Sequence, residues 1–263
     1  MAETRALTLG SIRSLLTDDK IKAQIRMALP DAGLTSDRLI RVALTQIRKN
    51  PSLLSCTQES LLGAIVQSAQ LGLEPDGVTG FAYLVPYGRE CTLIPGYKGL
   101  MNLARRSGEI GAIEARAVFQ KDLFEFEFGL KPRLYHKPNM SGDSGDAIYY
   151  YAIAHFKDGS MPQFEVMTVE QINKIRDRSR SAKAGFSPWK SDYDAMAKKT
   201  VIRRLLKYAP TSVQVQRAIA LDERADNNLP QDLGDVLNIE QENPEQVQPS
   251  ELFGKEDNPN GGK

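Results

Sequence analysis

The chain is poor in the residues that build cross-linked or metal-held scaffolds: its 263 residues include two cysteines, two histidines and one tryptophan. Cys56 and Cys91 make neither a C-x-x-C site nor a disulfide framework, so both are expected to be free, buried thiols. His136 and His155 have no Cys or carboxylate at ligand spacing, which argues against zinc. No G-x-x-x-x-G-K-[ST] run occurs, and the Gly-Lys pairs at 254–255 and 262–263 lack the preceding glycine. ATP hydrolysis is therefore not expected, and no nucleotide cofactor is implied. Nothing approaches the roughly 18 unbroken apolar residues of a membrane span, and residues 1–10 lack a signal-peptide pattern. A cytoplasmic location is the expectation. No nucleophile, base and orienting residue fall into a recognisable set, so the chain does not read as an enzyme. Glu125 and Glu127 on one strand face offer the best argument for a magnesium-dependent nuclease, but their alternation with Phe124, Phe126 and Phe128 is the ordinary pattern of a half-buried strand.

What is present is enough apolar sequence, 41%, to bury a core in one or two domains, and a charge distribution that the formal total of +1 conceals. Residues 171–210 carry eleven Lys or Arg against Asp177, Asp192 and Asp194, a net excess of eight positive charges. Residues 221–263 reverse this, with eleven Asp or Glu against Arg224, Lys255 and Lys263. Opposite blocks of this size suggest an anion-binding surface followed by an acidic tail, and a solvated helix with a hydrophilic terminus gives the same totals.

Along the chain, helical periodicity comes first. Ile12, Leu15 and Leu16 lead towards Ile21, Ile25 and Met27, and Pro30 closes that region. Thr35 or Ser36 can cap a helix carrying Leu39, Ile40, Ala43, Leu44 and Ile47, and Thr57 begins another with Leu61, Leu62, Ile65, Val66 and Ala69 inside. The period then shortens. Residues 81–87 and 91–94 flank a Gly88-Arg89-Glu90 turn, and 110–119, 123–128, 133–136, 148–156 and 163–167 are further strands, the last two joined through Lys157-Asp158-Gly159. Residues 139–146 read as a mobile loop. Helices return over 168–178, 192–208 and 212–225, after which periodicity disappears and composition predicts disorder, with a partner-binding segment possible at 236–239. The expected class is α+β: N-terminal helices over about 11–72, a central antiparallel sheet with an intervening helix over about 80–168, basic C-terminal helices over about 169–225, and a disordered acidic tail over 226–263.

Two helices carry a basic side. From Tyr97 to Ser107, Leu100, Met101, Leu103 and Ala104 share one sector while Lys98, Asn102, Arg105 and Arg106 lie opposite. Gly96 and Gly99 flank its start, where backbone amides could approach a phosphate. In the second, Lys199, Arg203 and Lys207 recur at i, i+4 and i+8, and no acid follows Asp194 on that helix to neutralise them. Arg204 lies at the edge of the apolar sector. Lys198 points into it, as a snorkelling stem, one half of a buried ion pair, or a phosphate contact. Upstream, Phe186, Trp189 and Tyr193 stand among Lys183, Lys190 and three arginines, the mixture of rings and cations that single-strand binders use, though Trp189 can equally anchor the next helix.

Several stretches resemble the RecT family of phage and prophage single-strand annealing proteins, the recombinases related to phage Redβ. They are Gln67-Ser68-Ala69-Gln70-Leu71-Gly72-Leu73-Glu74-Pro75, Gly96-Tyr97-Lys98-Gly99-Leu100, Leu103-Ala104-Arg105-Arg106-Ser107-Gly108, the segment 124–129, Phe164-Glu165-Val166-Met167-Thr168, and Met196-Ala197-Lys198-Lys199-Thr200-Val201-Ile202-Arg203-Arg204-Leu205. The similarity runs over about 20–222. It implies an α+β single-strand annealing domain over 1–225, ATP-independent pairing of complementary strands, and rings or helical filaments on DNA. It also implies work beside a RecE-type 5′ to 3′ exonuclease and host single-strand binding protein.

On this reading Lys199, Arg203 and Lys207, with Lys98, Arg105 and Arg106, line one groove; Lys190, Lys198 and Arg204 add charge, and Tyr97 and Trp189 touch bases or sugars. Pairing releases roughly 1.4 kcal/mol per base-pair step and needs no fuel. Few cations per protomer make useful affinity a property of an oligomer.

Overall fold

The structure is a computed structural model that describes residues 7–30, 33–183 and 187–231. Phe186 and the expected tail from 232 onward, including 236–239, lie outside the described residues. Four helices come first, α1 (Leu9–Leu16), α2 (Asp19–Ala28), α3 (Ser36–Lys49) and α4 (Gln58–Leu71). Thr8, Asp18, Thr35 and Thr57 cap them, each side chain accepting from amides that the first turn leaves unpaired. The cap at Asp18 divides the first apolar region into two helices, and Met27 ends up exposed.

Helix α4 is the axis of the core. Leu61, Ala64, Ile65, Val66 and Ala69 are sealed, and its neighbours α2 and α3 cover it from the N-terminal side. Gly72 ends it in the left-handed region, φ +61°, which a side chain would resist. Strands β1 (Ala82–Tyr87) and β2 (Glu90–Pro95) form the first hairpin, followed by α5 (Tyr97–Arg106). The hairpin turn is fastened to the start of α4, where Thr57 N donates to Arg89 O at 2.8 Å and Cys91 N to Ser60 Oγ at 3.0 Å. Cys56 and Cys91 are free and buried.

Strands β3 (Ile110–Phe119), β4 (Leu123–Glu127), β5 (Arg133–Lys137), β6 (Ala147–Phe156) and β7 (Gln163–Thr168) follow. All described pairings are antiparallel, distributed over β1-β2, β3-β6-β7 and β4-β5. On β6, Tyr150, Ala152 and Ala154 belong to the main core, whereas Tyr151 on the opposite face joins Val118 and Val166 in a second, smaller one. The β4-β5 hairpin closes that second core with Phe124 and Leu134, and Glu125 and Glu127 face outward. The loop 139–146 is tied to the β3-β4 connection: Asn139 N donates to Asp122 Oδ1 at 2.7 Å and Gln120 N to Asp146 O at 3.0 Å.

Helices α6 (Val169–Arg178), α7 (Arg180–Lys183), α8 (Pro188–Ser191), α9 (Tyr193–Leu206) and α10 (Val213–Asp226) complete the α+β architecture. Helix α9 lies across β3, β6 and β7 and also packs on α5, while α10 reaches β2, α4 and α5. The two basic helices of the sequence are therefore neighbours. Beyond α10, the Gln231 carboxamide accepts from Leu93 N at 2.9 Å and donates to Leu93 O at 2.7 Å. Gln231 is thus held against β2, while residues 227–230 are exposed.

Candidate nucleic-acid interface

The lysine and arginine stripe of α9 does not face water. Lys199 Nζ lies 2.5 Å from Asp222 Oδ1, and Arg203 Nη1 lies 2.6 Å from Asp222 Oδ2 and 2.5 Å from Asp226 Oδ2. Lys199 is 8% exposed, Arg203 9% and Asp222 1%. Burial pushes the Asp222 carboxyl up, but Lys199 and Arg203 more than offset this and hold it below the usual carboxylate range. Burial likewise pulls the Arg203 guanidinium down, and Asp222 with Asp226 leaves it above its ordinary value.

The remaining cations of this helix are also matched. Lys198 Nζ meets Asp194 at 2.6 Å, Arg204 Nε meets Glu165 of β7 at 2.7 Å, and Lys207 pairs with Glu223. The expectation that Lys199, Arg203 and Lys207 form an unneutralised groove wall is corrected: the acids come from α10, whose Asp222 and Asp226 repeat with the same four-residue period. Lys198, Arg204 and Lys207 keep 30%, 47% and 44% of their side chains exposed, so they border the surface as halves of ion pairs. Trp189 is corrected as well. It is 5% exposed, packs with its ring centroid 5.9 Å from that of Tyr193, and serves as the anchor of α8 rather than a platform for a base. Lys190 beside it is exposed, with no ion pair among the described residues.

Helix α5 differs. Lys98 and Arg105 are exposed and have no ion pair among the described residues. Arg106 turns back, donating from Nη1 to Leu71 O at 3.3 Å and Gly72 O at 3.2 Å, so its guanidinium completes the end of α4. Partial burial pulls it down. Gly96 and Gly99 are needed for packing: an added Cβ would lie 2.1 Å from Gly80 O and 2.0 Å from Phe81 O, respectively. Gly96 N already donates to Phe81 O at 2.9 Å, so that amide is not available to a phosphate.

Tyr97 borders a cleft of about 700 Å³ between α5, α9, β3 and the β4-β5 hairpin, with Met101, Arg116, Phe119, His136 and Lys198 among its walls. His136 Nε2 lies 3.1 Å from Asp122 Oδ2 and its Nδ1 3.1 Å from Tyr151 OH. Asp122 also accepts from Phe119 N and Asn139 N; burial raises it, and these amides with His136 bring it below the usual carboxylate range. Arg116 donates to Glu114 at 2.9 Å. Arg116, Phe119 and His136 were not visible as site residues because two strands far apart in sequence deliver them, Arg116 and Phe119 from β3 and His136 from β5. A weak signal existed in His136 and Asp122, which close across the β4-β5 hairpin.

An α+β body that exposes unpaired cations on the helix whose tyrosine edges a cleft has the surface of a polyanion-binding protein. Comparison makes the class definite. The RecT family profile matches residues 37–235. The chain is 44% identical over 223 residues to Protein RecT of Escherichia coli (strain K12), covering 82% of this chain and 81% of that protein. It is 28% identical over 197 residues to Uncharacterized protein YqaK of Bacillus subtilis (strain 168), covering 72% and 66%. The chain belongs to the RecT family, a family of DNA-recombination proteins that anneal single strands. Among the described residues, no helix is long and apolar enough to cross a membrane.

Proposed function

We propose that this chain anneals complementary single strands of DNA without ATP and without acting as a covalent catalyst. The carrying observation is the cationic side of α5: Lys98 and Arg105 are exposed with no ion pair among the described residues, on the same helix whose Tyr97 lines the cleft. Cations fix a sugar-phosphate chain without reading its sequence, and one ring per protomer can stack a base of any kind. Lys198, whose side chain is 30% exposed, lines the same cleft and adds a cation to it. Two or three free cations per subunit bind a strand weakly, so the working unit is an oligomer, a ring or filament on single-stranded DNA or on the annealed duplex intermediate. No nucleotide cofactor enters the mechanism, and a need for magnesium is left to be measured in the same assay. A RecE-type exonuclease supplies the strands, host single-strand binding protein is the competitor for them, and the place of action is the cytoplasm of a bacterial host carrying the phage or prophage.

The test is a mixing assay with a fluorescent complementary pair and the full chain. Acceleration over the naked oligonucleotides supports the reading; tight binding that slows pairing makes the chain a passive protector and sinks it. Replacing Lys98 and Arg105 together by Ala is expected to lower the slope of log K against log salt by about 1.4, at roughly 0.7 per phosphate on single strands.

A further inference from the structure

Helix α3 presents a second cationic face. Leu39, Ile40, Ala43 and Ile47 point inward, which leaves Arg38, Arg41, Thr45, Arg48 and Lys49 in an outward sector roughly 100° wide. The four cations are exposed. Arg38 is held by Glu74, 2.5 Å from Nε, and Asp37, the one acid on α3, is engaged by Lys22 at 2.8 Å. Arg41, Arg48 and Lys49 have no ion pair among the described residues, in contrast to every cation of α9. Arg41 Nε merely donates to the Asp37 carbonyl at 3.3 Å. Arg13 of α1 extends the face, sharing one groove with Arg48 and another with Arg41 and Thr17. A third groove runs between Arg41, Lys49 and the Asp76–Val78 segment.

One feature separates this face from the α5 site. None of the residues lining its three grooves is aromatic. It is nevertheless close to that site in the chain's own geometry, because the loop 72–80 touches both: Glu74 takes Arg38, Gln46 donates to Asp76 O, Arg106 donates to Gly72 O, and Gly80 lies against the Lys98 side chain.

We propose that the α3 face holds the second polynucleotide strand by its phosphates while the first occupies the α5 cleft. This rests on the annealing reading above and adds the place where the partner strand is received. A strand that must slide until its register is found needs its charge neutralised, its bases unstacked from protein, and a short residence time. Long flexible cations with no ring beside them meet all three needs, and the hold they give is weak and screened by salt.

The experiment uses the full chain with Arg41, Arg48 and Lys49 replaced by Ala, a helix-favouring change at exposed positions. A charge-keeping variant, Arg41→Lys with Arg48→Lys, is its control. First-strand affinity is read by anisotropy of a labelled oligonucleotide. Second-strand capture is read by adding a labelled non-complementary strand to the preformed complex, and pairing by adding a complementary one. The expected result is first-strand affinity within about twofold of the unaltered chain, with second-strand capture and pairing rate both down about tenfold or more and the salt slope of capture lower by about 2, for three phosphates at roughly 0.7 each. The lysine variant restores capture. A parallel fall in first-strand affinity would assign α3 to the first strand's path, and unchanged capture would make the face a solvation surface; either result overturns the proposal. Capture of a non-complementary strand needs no annealing, so the α3 site can stand or fall separately from the function proposed above.

Discussion

Helix α9 with its C-cap carries five lysines and arginines and α5 carries three, yet the shorter row offers more free charge to a ligand. On α9 each cation has a carboxylate within ion-pair distance, and two of the five are buried. On α5 Lys98 and Arg105 extend into solvent and only Arg106 is engaged, by carbonyls. A basic stripe is thus two different objects. It is a ligand surface where the opposite element is water, and a fastening where the opposite element is an acidic helix at matching period.

The largest effect that tests this contrast is on stability. Replacing Asp222 by Ala strands Lys199 in the interior and leaves Arg203 with Asp226 alone, and loss of about 3–5 kcal/mol is expected in urea unfolding, as for other buried pairs deprived of one partner. Arg203→Ala belongs to the same range, whereas Lys98→Ala with Arg105→Ala should fall within about 0.5 kcal/mol of the unaltered chain. Equal stability of all three variants would end the distinction between the helices. The fastening also has an acid limit: the Asp222 carboxyl titrates below its unfolded value, so its contribution is complete above the ordinary carboxylate pKa of about 3.9 and is lost as pH falls through the lower folded value. Stability against pH should therefore drop more steeply below about 4 in the unaltered chain than in a chain with Asp222 replaced by Asn.

A middle-sized effect sharpens the ligand side. Tyr97→Leu should weaken single-strand binding by about 1–3 kcal/mol if the ring stacks on a base, and leave the salt slope unchanged. Loss of slope instead would mean that the substitution disturbs Lys98. The smallest effect is expected for Arg204→Ala, which removes a half-exposed arginine from the largely buried Glu165 and should cost about 1 kcal/mol in stability.

Much of the fold could be read from local signals, because caps and turns act over three or four residues. Thr35 and Thr57 begin their helices as read, the Gly88-Arg89-Glu90 turn joins β1 to β2, and Phe124 packs inward as the strand alternation predicts, although Phe126 on the same face stays 39% exposed. The site was less legible. A helical wheel counts the acids of one helix alone, and the partners of Lys199, Arg203 and Lys207 sit 16 to 23 residues later on α10. Those same acids opened the negative block of the sequence, so part of the opposed charge of the two segments is closed internally. The α3 face was passed over for the opposite reason: its apolar side explained the helix so well that Arg41, Arg48 and Lys49 drew no question.

Gln231 changes where this protein can be cut. Its amide occupies the hydrogen-bonding positions that a further strand residue would take at Leu93, and Asp226 just before it holds Arg203. Shortening the chain after Ala225 would therefore remove a clasp and a counterion together with the acidic residues that follow, whereas a stop codon placed after Gln231 keeps both contacts.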